Sequence, residues 1–186
     1  VLFERVLYIL SVWLLYYDHQ ENYLPYYQIF YWYSLIVKYK KIKGPIVFIG
    51  FGSIGRGTMP LVERHFDFDA KNVHVIDPAS NVEKFITING ANFINEEITK
   101  ENYHSILNKI FVNKNEGFCI NLSVDTSSKD IIKYCQERNI LYIDTVIEEW
   151  KGFYSNLSTD TSQITNYSLR ENLLKYKNET KTYDII

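Results

Sequence analysis

The sequence predicts an α/β protein, a parallel sheet with helices on both faces, and three observations support this. Short apolar runs alternate with helix-length segments from residue 46 to residue 145. Three glycines, Gly50, Gly52 and Gly55, directly follow the first apolar run. An acidic residue, Asp77, ends the second run, 22 positions after Gly55. Strands that alternate with helices form parallel sheets through right-handed crossover connections.

The glycine segment, "GPIVFIGFGSIGRG" at residues 44–57, is typical of a turn that binds phosphates. Ile46–Ile49 is an unbroken apolar run, as in a buried parallel strand. In such turns the first glycine permits a tight bend, the second lets the backbone approach a pyrophosphate, and the third lets the helix pack closely. The next helix, predicted over 54–66 and starting near Ser53, directs its N-terminal N–H groups at the phosphates. Pro60 must then lie near its first turn or kink it.

Asp77 ends the predicted second strand, "NVHVID" at residues 72–77. At this position an acidic residue accepts hydrogen bonds from the adenosine ribose hydroxyls of a dinucleotide. Its charge opposes a 2′-phosphate, so NAD is expected as the cofactor in preference to NADP. The alternative is a solvated turn at the strand end. Strand, glycines, helix, strand and acid in this order predict a Rossmann-type doubly wound parallel sheet.

The remaining elements continue the alternation of helices and strands. A polar residue caps two of the helices: Thr99, with Asn102 three positions later, and either Ser127 or Ser128. The predicted elements are a helix over 81–89 closed by Gly90, a strand over 91–95, a helix carrying Tyr103, Ile106, Leu107 and Ile110, a strand over 117–125, a helix over 129–138, a strand over 140–145 and a final helix over 164–177.

Polar residues collect where the later strands end, and ligands of open parallel sheets bind at that edge. Asn121, Ser123 and Asp125 follow the fourth strand, where amide and hydroxyl groups can hold a nicotinamide or its ribose. The alternative is that Asp125 only helps to begin a helix.

Glu148, Glu149 and Trp150 follow the fifth strand. They suit an organic cation, through ion pairing and cation–π attraction. A solvated acidic turn with one packed tryptophan is the alternative.

Composition excludes several classes of function. The net charge of −2 gives no reason to expect a nucleic acid or an anionic membrane as partner. The two cysteines, Cys119 and Cys135, suggest reduced thiols in a cytoplasmic protein, and the four histidines show no metal-ligand spacing. The apolar run at residues 6–17 is too short to span a bilayer. We therefore expect a protein without a metal or a membrane partner.

The chain is expected to hold one domain with two flanking segments. Residues 1–43 are rich in aromatic residues and begin with Val1, and we interpret them as translation upstream of the true start or as a gene fragment. Amphipathic partner helices are the alternative interpretation of this segment. Residues 44–145 form the dinucleotide domain, and residues 146–186 are a loop and helix that lead toward a further domain.

The sequence also resembles a known family, the bacterial homospermidine synthases, relatives of the saccharopine dehydrogenases. The resemblance covers residues 44–178 and lies in four strings: "GPIVFIGFGSIGRGTMPLVERHF" (44–66), "GFCINLSVDTSS" (117–128), "LYIDTVIEEWKGFY" (141–154) and "TNYSLRE" (165–171). It implies a homodimeric enzyme that joins two molecules of putrescine into homospermidine, with loss of ammonia and with NAD as a recycled hydride carrier. The alternatives are a saccharopine dehydrogenase-type oxidoreductase and a non-catalytic NAD-binding module.

The resemblance also implies roles for individual residues. Asp77 binds the adenosine ribose, and Glu148 and Trp150 lie on the side of the diamine substrate. The dinucleotide contacts come from Gly50, Gly52, Ser53, Ile54 and Gly55, and the nicotinamide contacts from Asn121, Ser123 and Asp125. Because family members are more than twice as long, the chain resembles a single domain truncated before the second domain. We therefore name no catalytic residue and expect no homospermidine from this chain alone.

Overall fold

The computed structural model describes residues 38–112, 116–155 and 160–180. Most of the aromatic segment predicted as residues 1–43 lies outside these residues. The first described element is a short strand, β1 (Lys40–Lys41), which pairs in parallel with β3 (Phe66–Asp67). Ile42 follows β1 and is buried. Residues 40–42 therefore pack as part of the domain that follows them.

Five parallel strands form the central sheet, in the order β5-β4-β2-β6-β7. They are β2 (Ile46–Ile49), β4 (Val73–Ile76), β5 (Asn92–Ile94), β6 (Phe118–Asn121) and β7 (Leu141–Asp144). The chain runs outward from β2 to β5 and then crosses back to β6 on the other side of β2. The strand order therefore reverses at β2, and ligands of such sheets bind at this point, beyond the carboxyl ends of the strands.

Among the described residues, three α-helices pack on the sheet, α1 (Ser53–His65), α2 (Tyr103–Ile110) and α3 (Ser128–Glu137). A further helix, α4 (Asn166–Thr180), lies against α3, where the Tyr176 hydroxyl donates to Gln136 Oε1 at 2.9 Å. Alternate residues of β2 belong to two separate hydrophobic clusters, because neighbouring side chains of a strand point to opposite faces. Phe48 packs in one cluster with Met59 of α1. Val47 packs in the other with Leu107 of α2 and Ile131 of α3. Helices on both faces confirm the predicted doubly wound α/β fold.

The helix predicted over 81–89 is wrong. A 3₁₀ helix, Ser80–Phe85, replaces it, and the backbone is extended at Ile86. Ile88 packs into the core on the α1 face of the sheet. Residues 86–88 are all β-branched, which disfavours a helix here, and the extended chain brings Ile88 to the core. Gly90 has a left-handed φ of 94°, so it ends a turn, not a helix.

The caps and bends of the other helices differ in detail from the predictions. Thr99 is not the N-cap of α2, which begins only at Tyr103. Asn102 instead accepts a hydrogen bond from the Thr99 N–H at 2.7 Å, the return bond that a glutamate makes in a capping box. Pro60 lies inside α1, beyond its first turn. Ser127 caps α3 by accepting from the Asp130 N–H, as one of the two alternatives predicted.

Candidate functional site

Gly50 lies where the carboxyl ends of three strands, β2, β4 and β6, come together. Its φ is 82°, a left-handed conformation that L-residues rarely adopt. Its N–H donates to the Ile76 carbonyl at the end of β4, at 2.9 Å. A Cβ on Gly50 would lie only 2.8 Å from backbone atoms of Ser123, just after β6. Both the backbone conformation and the available space therefore require glycine here.

The other two glycines of the loop have different surroundings. A Cβ on Gly55 would lie 2.9 Å from the Phe51 ring, so this glycine lets α1 pack closely against the loop. A Cβ on Gly52 would meet no atom within 4 Å among the described residues. Gly52 thus faces open space at the N-terminus of α1. The three positions have the geometry expected of a tight bend, an open approach to a phosphate and a close helix contact.

Asp77 joins the glycine loop to the end of β4. Its side chain is 8% exposed. One carboxylate oxygen accepts from the Phe51 N–H at 2.6 Å, and the other accepts from the Ala79 N–H at 2.8 Å. Asp77 is therefore not a solvated turn residue. Because each carboxylate oxygen can accept more than one hydrogen bond, Asp77 keeps capacity for the hydroxyls of a ligand.

A cleft of about 350 Å³ lies beyond the carboxyl ends of the strands. Ligand sites for small molecules commonly have about this volume or more. The glycine loop, the end of β4 and the segments after β5 and β6 line it, through Ile49, Gly50, Gly52, Ile76, Asp77, Pro78, Glu96, Glu97, Ile98, Leu122, Ser123, Val124, Asp125 and Thr126. Glu96 and Glu97 are not among the site residues predicted from the sequence. Their position after β5, at the ligand-binding edge, was the available signal.

The predicted nicotinamide-side residues divide into two groups. Ser123 and Asp125 line the cleft. Asn121 is 2% exposed, and its amide lies between Ser123 and Tyr142. Asp125 has a left-handed φ of 60° and precedes the α3 cap, Ser127, by two positions. Asp125 therefore does not cap the helix.

The segment after β7 is fixed to the N-terminus of α3. The Glu148 N–H donates to Ser128 Oγ at 3.0 Å, and the Ser128 N–H donates to the Glu148 carbonyl at 2.9 Å. Trp150 Nε1 donates to an Asp130 carboxylate oxygen at 2.7 Å. The Trp150 ring lies 5.3 Å from that of Tyr103, between ring centroids. The described residues that line the cleft do not include Glu148 or Trp150, and the indole packs against the hydrophobic core.

Two further contacts define the electrostatics of this segment. Burial and the nearby Asp130 carboxylate raise the pKa of the Glu149 carboxyl above its usual value. Lys151 donates from Nζ to a Glu97 carboxylate oxygen at 2.9 Å, and its backbone N–H donates to the Asp125 carbonyl at 3.2 Å. Lys151 therefore links the segment after β7 to both acidic walls of the cleft.

The described residues contain neither a metal-binding cluster nor a membrane-spanning helix. Within residues 38–112, 116–155 and 160–180, no three His, Cys, Asp or Glu side chains group closely enough to hold a metal ion. In the same part of the chain no helix is both long and apolar enough to cross a bilayer. The two cysteines, Cys119 and Cys135, are buried free thiols.

Comparisons with known proteins agree with this geometry. The family model described as the saccharopine dehydrogenase NADP binding domain matches residues 46–186. A homospermidine synthase from Mesorhizobium japonicum is 47% identical over 142 residues, 76% of this chain, and one from Blastochloris viridis is 49% identical over 137 residues, 73% of this chain. In both cases the match spans 29% of the length of the relative.

A solved structure is similar as well. The crystal structure of the homospermidine synthase from Legionella pneumophila, in complex with NAD, matches with a TM-score of 0.60 and 30% sequence identity. The match covers 75% of this chain and 28% of that one.

Proposed function

The chain belongs to the family of saccharopine dehydrogenase NADP-binding domains, and we propose that it is the NAD-binding part of a homospermidine synthase-like enzyme. The identity of 47–49% to two homospermidine synthases supports the class of enzyme. The geometry of the glycine loop and Asp77 supports the cofactor. The activity of a whole enzyme is part of the proposal, because the chain spans 29% of the length of these relatives.

One observation carries the cofactor assignment: Asp77 is bonded to the glycine loop beside the open position at Gly52. The 2.6 Å bond from the Phe51 N–H holds the carboxylate at the edge of the cleft. The N-terminus of α1, with its unpaired N–H groups and positive dipole end, begins at Ser53 next to that opening. An adenosine ribose at Asp77 and a diphosphate at Gly52 fit this arrangement.

The charge of Asp77 favours NAD over NADP. Its carboxylate can accept from the two ribose hydroxyls but repels a 2′-phosphate. The family description names NADP, whereas the Legionella pneumophila enzyme was solved with NAD. The acidic side chain of Asp77 would face the ribose directly, which favours NAD in this chain.

For the substrate we propose a diamine, putrescine, of which two molecules form homospermidine and ammonia. Bound NAD supplies the hydride acceptor and donor for this reaction. This chain contributes negative charge to the proposed diamine site: Asp125 lines the cleft, and Glu148, outside the cleft lining, is held by its backbone at the N-terminus of α3. Carboxylates of this kind bind and orient the ammonium groups of a diamine.

The cofactor assignment is tested by calorimetric titration of the full chain with NAD and with NADP. We expect NAD to bind at least about tenfold more tightly, equivalent to about 1.4 kcal/mol. Equal or tighter binding of NADP by folded protein would contradict the assignment.

The enzyme class is tested with a chimera. The matched residues of this chain replace the corresponding part of the Blastochloris viridis homospermidine synthase, to which they are 49% identical over 137 residues. The chimera is incubated with putrescine and NAD, and the polyamines are separated by chromatography. We expect homospermidine. A chimera that folds and binds NAD but forms no homospermidine would argue against this class. The unmodified Blastochloris viridis enzyme is the positive control.

A further inference from the structure

Four side chains form a hydrogen-bonded chain at the ends of β6 and β7. Asn121 ends β6 and lies opposite Asp144, which ends β7. Tyr142 hydrogen-bonds to both: Asn121 Nδ2 donates to its hydroxyl at 3.2 Å, and the hydroxyl donates to an Asp144 carboxylate oxygen at 2.9 Å. On the other side, Asn121 Oδ1 accepts from the Ser123 hydroxyl at 2.7 Å and from the Ser123 N–H at 3.3 Å. Only Ser123 of the four lines the cleft.

The direction of every hydrogen bond in this network follows from the two groups at its ends, the Asp144 carboxylate and the Ser123 N–H, which donates to Asn121 Oδ1. A carboxylate can only accept, so the Tyr142 hydroxyl must donate to it. The Tyr142 oxygen then accepts, and the amide of Asn121 must turn its NH₂ group toward Tyr142. The amide oxygen consequently faces Ser123. Burial and the Asp144 carboxylate raise the pKa of Tyr142 well above its usual value, which keeps its proton in place.

Ser123, the member of this hydrogen-bond network that lines the cleft, offers an acceptor and not a donor to a ligand. A hydroxyl has one hydrogen to donate, and that of Ser123 is committed to Asn121. The lone pairs of Ser123 Oγ remain, so Ser123 can only accept from a ligand. The backbone of Ser123 is also held in place, because it closely approaches Gly50 of the glycine loop.

From this geometry we infer that Tyr142 and Asp144 are positioning residues: they orient Asn121 so that Ser123 offers a hydrogen-bond acceptor to the nicotinamide riboside half of the cofactor. The inference rests on the proposed function, since it takes NAD as the ligand. The ligand group that meets Ser123 is a donor, as the carboxamide NH₂ and the ribose hydroxyls are. The adenosine half, at Asp77, does not depend on this chain of bonds.

The test is calorimetry on the full chain carrying Tyr142→Phe, with NAD and ADP as probes. The variant loses the hydroxyl to which Asn121 Nδ2 donates, so the Asn121 amide is held less firmly, through its oxygen and Ser123. One such hydrogen bond contributes about 1 kcal/mol, so we expect NAD to bind about fivefold more weakly. ADP, which has only the adenosine and diphosphate groups, should bind within about twofold of its wild-type affinity on the same reasoning.

Tyr134→Phe is the matched control. Its hydroxyl donates to Asn108 Oδ1 at 3.0 Å, and neither residue lines the cleft. Its thermal stability should fall about as much as that of Tyr142→Phe, while its NAD affinity stays unchanged. Asp144→Ala, which removes the carboxylate that accepts from the Tyr142 hydroxyl, should reproduce the selective loss of NAD affinity. It provides the test if Tyr142→Phe does not fold.

Three results would overturn the inference: unchanged NAD affinity in both variants, an equal loss for NAD and ADP, or the same loss in Tyr134→Phe. The last two would show a merely structural role. Failure of the wild-type chain to bind NAD is a different result, which refutes the proposed function and with it the inference that rests on it.

Discussion

The two halves of the cleft are built in different ways. The half around the glycine loop consists of backbone N–H groups, missing side chains and one carboxylate, Asp77. The half after β6 includes Ser123, which is supported from behind by side chains that hydrogen-bond across strands, Asn121 and Tyr142. Ligand binding in the first half depends on open space beside the glycines, which a single added methyl group can fill. The second half depends on hydrogen bonds of about 1 kcal/mol each, so removing one of them should weaken ligand binding only modestly.

Gly50→Ala affects both halves, because Gly50 touches Ser123, and it should have the most severe consequence. The new methyl group would lie 2.8 Å from the Ser123 backbone, at a φ of 82°. We expect the free energy of unfolding to fall by at least about 2 kcal/mol and NAD binding to be lost. Urea denaturation followed by circular dichroism measures the first effect, and calorimetry measures the second.

Gly90→Ala is the control for Gly50→Ala. Gly90 also has a left-handed φ, 94°, but its Cβ position is 3.7 Å from the Ala70 Cβ, an ordinary contact. The conformation alone should cost about 1–2 kcal/mol. Equal losses in the two variants would mean that the contact with Ser123 has no importance.

Gly52→Val should separate ligand binding from folding. A side chain at Gly52 meets no atom among the described residues, so the thermal midpoint should change little. The same side chain occupies the space where a diphosphate would approach the backbone, and we expect NAD affinity to fall by about 100-fold or more. Gly57→Val, at another open glycine within α1, should bind NAD normally. Normal NAD binding by folded Gly52→Val would disprove the role of the glycine loop.

Asp77→Asn should change the preference between cofactors more than it changes the fold. The variant loses the charge that repels a 2′-phosphate and weakens the bonds to the Phe51 and Ala79 N–H groups. We expect NAD affinity to fall about tenfold and the preference for NAD over NADP to shrink by a similar factor. Parallel titrations with NAD and NADP give the ratio of the two affinities. Asp67→Asn, at an exposed carboxylate on β3, should leave this ratio unchanged. An unaltered affinity ratio in Asp77→Asn would mean that a residue other than Asp77 distinguishes NAD from NADP.

Glu149→Gln should have the smallest effect, limited to stability and dependent on pH. Burial and Asp130 raise the pKa of Glu149 in the folded protein. A raised carboxyl pKa means that stability is greatest below the pKa of the unfolded chain and is lost as pH rises through the folded value. The neutral glutamine should therefore raise the melting temperature near pH 7 but not near pH 4, by the same linkage.

Differential scanning fluorimetry at the two pH values measures the effect of Glu149→Gln. Glu63→Gln, on the exposed face of α1, controls for the loss of one negative charge. A gain of equal size at both pH values would mean that ionisation of Glu149 is not its cause.

The structure contradicts the sequence predictions where local signals competed with packing. Residues 81–89 are long enough for a helix, but residues 86–88 are all β-branched, and the chain is extended there because Ile88 is buried in the core. Thr99 has the chemistry of a cap, but the Asn102 side chain bonds back to it and α2 starts later. Propensity alone does not settle such cases, because tertiary contacts outweigh it.

The sequence by itself determined the glycine half of the cleft and the doubly wound sheet. The spacing of Gly50, Gly52 and Gly55 specifies the backbone of one short turn, and the apolar runs specify which strands are buried. Asp77 follows from the same rule, because it ends the next strand and parallel pairing brings it to the loop.

Only the tertiary structure decided the other half. Tyr142 follows Asn121 by 21 residues, and the two side chains meet because β6 and β7 pair in one register. No spacing along the chain encodes that register, because the strands are separated in sequence by α3 and meet only when β6 and β7 pair in the sheet. The directions of the hydrogen bonds follow from an acceptor-only carboxylate, Asp144, at one end of the network and a donor N–H, that of Ser123, at the other.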